Sequence, residues 1–204
     1  MEPDYQIPFM FNPGVLTANL PDYLLQKLKI AVIDMSAKKN AVNHGLVGSI
    51  EQEYETPDIP ELVKFIDDMY DAWKDTYRVR HEPYKIGRIW TNYMKKGEFN
   101  PNHCHPEALA AFVIWVTIPF NLDDEIKYQK DKNYSSEHPP KNSAFEFTYS
   151  MIDGKMTTTT VFVDQEMEGT VSMFPGTLMH CVYPFYTSDG ERISIAGNVI
   201  PKML

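Results

Sequence analysis

The sequence is short of three things, and each shortage removes a class of function. Basic residues are outnumbered, 19 Lys and Arg against 28 Asp and Glu, giving a net charge of −9. Broad phosphate-binding surfaces are built from clustered Lys and Arg, so no nucleic-acid partner is expected. Apolar runs stop short of the roughly 18 residues that cross a bilayer, so no membrane partner is expected either. The opening "MEPDYQIPFM" has neither the basic start nor the apolar stretch of a secretion signal, which points to the cytoplasm. Cysteine is scarce as well. Two residues, Cys104 and Cys181, make no disulfide framework, and in a reducing compartment both read as thiols.

What is present suffices for one well-formed core: 204 residues, 43% of them hydrophobic. The first third is patterned for helices. In 20–39 the apolar residues Leu24, Leu25, Leu28 and Val32 recur at helical spacing, and Pro21 stands where a first turn accepts proline. In 60–77 a stripe of Leu62, Phe65, Ile66, Met69 and Trp73 reads as the face packed on a sheet. After Arg80 the pattern turns to alternation with β-branched and aromatic residues. Strands are expected over 84–94, 108–120, 144–152, 157–163, 169–174, 178–184 and 193–200, punctuated by Asp153-Gly154, Pro175-Gly176 and Asp189-Gly190. Seven strands after two helices, with no helix between strands, predict a mainly β fold with N-terminal helices. That is a sandwich or jelly roll rather than a parallel α/β sheet. The expected organisation is a single domain, with 1–80 as helical support and 84–200 as the β core. The polar stretch 123–142 reads as a surface loop, either a plain excursion or a lid over a cleft.

The chemistry gathers around histidine. "NPNHCH" (100–105) stands directly before the most apolar run in the chain, "ALAAFVIWVTIPF" (108–120). In extended chain His103 and His105 point to one face and Cys104 to the other, and Cys181 likewise points away from His180. Three of the six histidines can therefore share a metal ion, whereas the cysteines join them only awkwardly. A zinc knuckle would need a close Cys pair, which this chain lacks. Twelve residues after His180 comes Arg192, and Ser194 shares its strand face. A guanidinium and a hydroxyl side by side form a carboxylate clamp, while the bland alternative for Arg192 is a surface ion pair with Glu191 or Asp189.

The segments "WTNYMKKGEFNPNHCH" (90–105) and "HCVYPFYTSDGERISIAGN" (180–198) resemble the iron(II)/2-oxoglutarate-dependent oxygenases, in particular a branch of small enzymes frequent in phage genomes and related to prolyl hydroxylases. The resemblance covers roughly residues 84–200. It implies a double-stranded β-helix, the cupin-like jelly roll, holding Fe(II) and taking 2-oxoglutarate and O2 as co-substrates. A C–H bond of an acceptor would be hydroxylated with release of succinate and CO2, and relatedness to prolyl hydroxylases makes a peptidyl proline the first acceptor to consider. His103 and His180 match the two histidine ligands. Arg192, with Ser194 beside it, matches the group that holds the far carboxylate of 2-oxoglutarate. Asn92 and Asn198 match positions of co-substrate contact, and Trp90 and Trp115 either line the pocket or pack the core. Such enzymes usually complete the site with a carboxylate. Here that position is His105, so either three histidines bind the metal or Glu107 serves in a shifted register. Two rivals remain: a non-catalytic jelly-roll module with a structural metal, and a cupin-like metalloenzyme that does not use 2-oxoglutarate. If the gene is a phage's, the host cytoplasm would be its place.

Overall fold

A computed structural model describes residues 13–35, 42, 47–80, 82–132 and 141–202. Two antiparallel sheets face each other. The larger has six strands in the order β1-β8-β5-β10-β3-β2: Leu16–Asn19, Thr170–Pro175, Ala110–Thr117, Arg192–Pro201, Tyr84–Met94 and Gln52–Glu55. The smaller has four in the order β4-β9-β6-β7: Asn100–His103, Met179–Val182, Phe145–Ser150 and Met156–Val161. This is the jelly roll expected from the β-rich pattern.

Strand β5 shows why the sequence folds this way. Its eight residues "AAFVIWVT" are buried on both faces down to Val116. Ala110, Phe112, Ile114 and Val116 meet helices α1 (Asp22–Met35) and α2 (Pro60–Tyr77) through Leu24, Leu28, Ile66 and Trp73. The alternate residues Ala111, Val113 and Trp115 join Phe145, Phe147, Phe174 and Phe185 between the sheets. A strand covered on both sides loses the polar alternation of a half-exposed one, which explains the unbroken apolar run.

Three features depart from the sequence reading. The part of the chain before residue 80 is not helical alone, because it supplies both edge strands of the large sheet, β1 and β2. Residues 100–103, outside the strands expected from the sequence, form β4. A helix does lie between strands: α3 (Leu122–Asp131) occupies the first half of the expected loop. Asn121 caps it by accepting from the Asp123 N–H at 2.9 Å, and Asp123, Asp124 and Glu125 complement the positive end of its dipole. Buried Glu125 fastens the helix through Oε1, which accepts from the N–H groups of Tyr186 and Thr187 at 2.8 and 2.7 Å. The stretch 133–140, where the rest of the expected lid falls, lies outside the described residues. No helix among the described residues is long and apolar enough to cross a membrane.

Candidate active site

Between the sheets the side chains change from apolar to polar toward one end, and three histidines meet there. His103 ends β4 and is the register partner of His180 on β9. His105 lies just past β4, held by its N–H to the Gly176 carbonyl at 2.7 Å. One ring nitrogen from each of the three falls within 4.8 Å of the others, close enough to share one metal ion. The ring of His103 is oriented by Nδ1 against the Pro101 carbonyl at 2.7 Å, and that of His180 by Nδ1 against the Leu178 carbonyl at 2.8 Å. A carbonyl only accepts, so each Nδ1 carries the proton and each Nε2 keeps its lone pair for a metal. Burial then holds the rings neutral. It lowers the pKa of His180 to about 3 and that of His105 to about 4, and lowers that of His103 too, with the neighbouring imidazoles adding to the effect on His180 and His105. Neutral, oriented and convergent imidazoles fit a transition-metal ion such as Fe(II).

Glu107 is not among them. The Ala108 N–H returns to the His105 carbonyl at 2.9 Å, closing a turn with Pro106 and Glu107 at its corner, and Glu107 is exposed there. Of the two ligand sets open on sequence, the geometry gathers the three-histidine one. The remaining histidines, His44, His81 and His138, lie outside the described residues.

Beside the triad a narrow cavity of about 50 Å³ runs inward, lined by Asn92, Met94, Trp115, Arg192 and Ser194 among others. Arg192 is 1% exposed, which removes the surface ion-pair reading; Asp189 pairs with Lys96 instead. Its Nη1 donates to the Ser143 carbonyl at 2.8 Å and its Nη2 to the Tyr183 carbonyl at 2.9 Å, with the rings of Trp115, Phe120 and Phe185 around it. Burial pulls its pKa down to about 9, opposed by the charge of Glu125, so it stays cationic at neutral pH. Across Asn92, Met94, Trp115, Arg192 and Ser194, three buried atoms lack a hydrogen-bond partner among the described residues: Arg192 Nε, Trp115 Nε1 and Asn92 Oδ1. Two of the three are donors. The Ser194 hydroxyl oxygen accepts from Asn92 Nδ2 at 3.2 Å, which leaves its proton to give. Unsatisfied buried donors are costly, and a carboxylate is the group that would satisfy them. The cavity fits the far carboxylate of a keto acid.

A second, wider cavity of about 480 Å³ adjoins the first and shares Trp90, Asn100, His103 and His105 with it. Asn198 belongs here and not beside Arg192, so the structure separates it from the clamp residues with which the sequence grouped it. Glu53 of β2 also lines this cavity, and nothing in the sequence marked it.

The family profile described as "Putative 2OG-Fe(II) oxygenase" matches residues 88–198, more than half of the chain. The chain belongs to that family. It is thus a 2-oxoglutarate/Fe(II)-dependent oxygenase, with Fe(II) and 2-oxoglutarate as its cofactors. No curated protein sequence matches it. Its fold is similar to that of a Pseudomonas putida prolyl-4-hydroxylase, at 14% identity and TM-score 0.60, over 93% of this chain and 94% of that one. It is also similar to a Trichoplax adhaerens prolyl hydroxylase solved with a hypoxia inducible factor peptide, at 12% identity and TM-score 0.57, over 93% and 84% of the two chains. HygX from Streptomyces hygroscopicus, solved with nickel, 2-oxoglutarate and hygromycin B, is similar at 13% identity and TM-score 0.57, over 94% and 84%. The shared feature is the jelly roll.

Proposed function

We propose that this oxygenase hydroxylates a C–H bond of an acceptor that enters through the outer cavity, and that His103, His105 and His180 hold its iron. The observation that carries the reading is that the triad lines a small cavity holding buried Arg192 and, through His103 and His105, a wider one as well. In the smaller cavity the free Nε–H of Arg192 meets the far carboxylate of 2-oxoglutarate, with Ser194 and Trp115 Nε1 as further donors and Asn92 beside them. The keto end of the co-substrate then faces the histidines. Iron(II), when bound, couples decarboxylation of 2-oxoglutarate by O2 to insertion of one oxygen atom into the C–H bond, with succinate and CO2 as co-products. The protein's own work is to fix the rings, neutralise the co-substrate's charge and keep the inner cavity dry by means of Trp115, Phe120, Phe145 and Phe185.

The likeness in fold to prolyl hydroxylases makes a peptidyl proline the first acceptor to test. Against the cupin-like and purely structural readings stands the buried Arg192, which neither needs. The test is anaerobic reconstitution with Fe(II) and 2-oxoglutarate, reading the weak visible charge-transfer band of the chelate. The band is expected in the wild type, absent in His180→Ala, and in Arg192→Gln restored only at much higher 2-oxoglutarate. Absence of the band in the wild type, with Zn(II) held tightly by the same histidines, would leave a metal-stabilised jelly roll.

A further inference from the structure

The inner face of the large sheet carries a polar row that continues past the co-substrate clamp. Glu53 is the register partner of Asn92, Asn92 of Ser194, and Ser194 of Trp115, so the row crosses β2, β3, β10 and β5. Its last member is the anomaly. Glu53 is 1% exposed, yet no ion pair and no hydrogen bond reaches its Oε2 among the described residues. A buried carboxylate is ordinarily paired or hydrogen-bonded, because stripping its water costs several kcal/mol. Its surroundings repeat the anomaly. The Oδ1 atoms of Asn100 and Asn198, which line the same outer cavity, also lack partners. The three orphans are all acceptors. Gly48 approaches two of these side chains closely: a Cβ there would lie 3.0 Å from Asn100 Oδ1 and 3.2 Å from Glu53 Oε1. The wall is completed by the indole of Trp90, and the exposed charges at the rim are Glu107 and Arg88.

We infer that the acceptor molecule carries an ammonium group that docks on Glu53 in the outer cavity, with the amide oxygens of Asn100 and Asn198 taking its remaining protons. The inference rests on the proposed function and names the class of acceptor it takes. An ammonium offers three donors and no acceptor, the complement of three orphan acceptor oxygens. A neutral polyol would satisfy them in part but would leave the carboxylate without a counter-charge. An aromatic residue in the wall, Trp90, is compatible with a cation as well. Two sources share this chemistry, a free alkylamine and the lysine side chain of a peptide.

The test is calorimetry on the Ni(II)-loaded protein with 2-oxoglutarate present. The probes are cadaverine, its diacetylated form, an acetyl-Gly-Pro-Lys amide peptide and the same peptide acetylated on lysine. At least one free amine should bind about tenfold or more tightly than its acetylated counterpart, the effect of a charge-assisted contact. In Glu53→Gln that preference should vanish, with the unfolding midpoint no lower than in the wild type. Tighter binding of the peptide would assign the source as a protein, and tighter binding of cadaverine a small amine. Equal binding of charged and acetylated probes, no binding of either amine, or a preference that survives Glu53→Gln would overturn the inference. Binding of 2-oxoglutarate, measured first in the same cell, separates the two failures. If it is lost, the oxygenase reading of the inner cavity fails; if it persists without cation selectivity, only the acceptor class does.

Discussion

His103 and His180 stand opposite each other as register partners of β4 and β9, their ring centroids 4.3 Å apart, each ring tied through Nδ1 to the carbonyl two residues before it. The same short device on two strands aims both Nε2 atoms at one point, and His105 completes the set from the turn that follows. Ala at any of the three should lower Ni(II) or Fe(II) affinity by about 100-fold or more, beyond the 10–100-fold typical of losing an outer-shell partner. Glu107→Gln should leave affinity within about threefold, since the turn at Pro106 carries that carboxyl to the surface. Isothermal titration checks both, and a large effect at Glu107 with a small one at His105 would restore the carboxylate ligand set.

Protons compete with metal only for rings that can take them. Burial keeps His105 neutral to about pH 4 and His180 to about pH 3, against 6.5 for an open imidazole. Metal affinity should therefore stay nearly flat from pH 7.5 to 5.5, where an exposed histidine site would lose tenfold or so per unit for each ring that titrates. Competition against a calibrated chelator at the two pH values measures this. A steep loss between pH 7 and 6 would mean that the rings are wetter than their packing against Phe145, Phe174 and Trp90 implies.

Much of this architecture was legible in the sequence because it rests on local pattern. The alternation over 84–94 coincides with β3, and the helical stripes locate α1 and α2. The missed strands β1, β2 and β4 are four residues each and lie at sheet edges, where the partner strand and not the segment's own pattern decides the pairing. Helix α3 went unread because its lysines and the Pro-Pro pair beyond it suggested a loop, although Asn121 before three acids was a helix start in plain view. The histidines and Arg192 announced themselves by spacing. Glu53 could not: its importance comes from β2 docking beside Asn92, a tertiary fact that "QEYE" does not contain.

Arg192 has one duty in the fold and, in the proposed function, a second toward 2-oxoglutarate, and substitution can separate them. Its Nη atoms satisfy the carbonyls of Ser143 and Tyr183, while Nε remains for a ligand. Arg192→Ala leaves the buried Ser143 carbonyl and the half-buried Tyr183 carbonyl without this donor and should cost about 3 kcal/mol of stability or more. Arg192→Lys keeps the charge without the planar fork, so it should fold better than the alanine variant and still bind 2-oxoglutarate about tenfold or more weakly, with metal affinity unchanged. Chemical denaturation and 2-oxoglutarate titration on each variant test the split. Unaltered co-substrate binding in both would remove Arg192 from the clamp.

Glu53 should leave a mark on stability with a sign opposite to that of the acids in ion pairs. Burial, and then the charge of Glu98, raises its pKa from 4.5 to about 7. Between those values the folded state holds a proton that the unfolded state has released, so stability falls as pH rises from about 4.5 to 7 and is level above. The full effect is about 3 kcal/mol, and Glu53→Gln removes it. Subtracting the variant's denaturation free energy from that of the wild type at pH 5 and pH 8 isolates this group from every other. The wild type should lose ground to the variant at the higher pH, and a difference that does not change with pH would show Glu53 to be ionised and solvated.

Gly176 controls where His105 sits. Its carbonyl accepts the His105 N–H at 2.7 Å, and a Cβ on it would stand 2.2 Å from the Ala108 carbonyl oxygen and 2.7 Å from that of His105. These are backbone atoms, so no side chain can swing away to relieve the overlap, and the turn from His105 to Ala108 must move. Gly176→Ala should therefore cost about 3 kcal/mol or more and weaken metal binding although no ligand is altered. Its effect on metal should resemble that of His105→Ala more than that of His180→Ala, because β9 and the His180 ring keep their own support from Leu178 and Phe147. If the two substitutions Gly176→Ala and His105→Ala are combined, the second should add little to the metal loss caused by the first, the signature of two changes acting on one ligand. Additive losses would mean that the strained turn disturbs the whole triad.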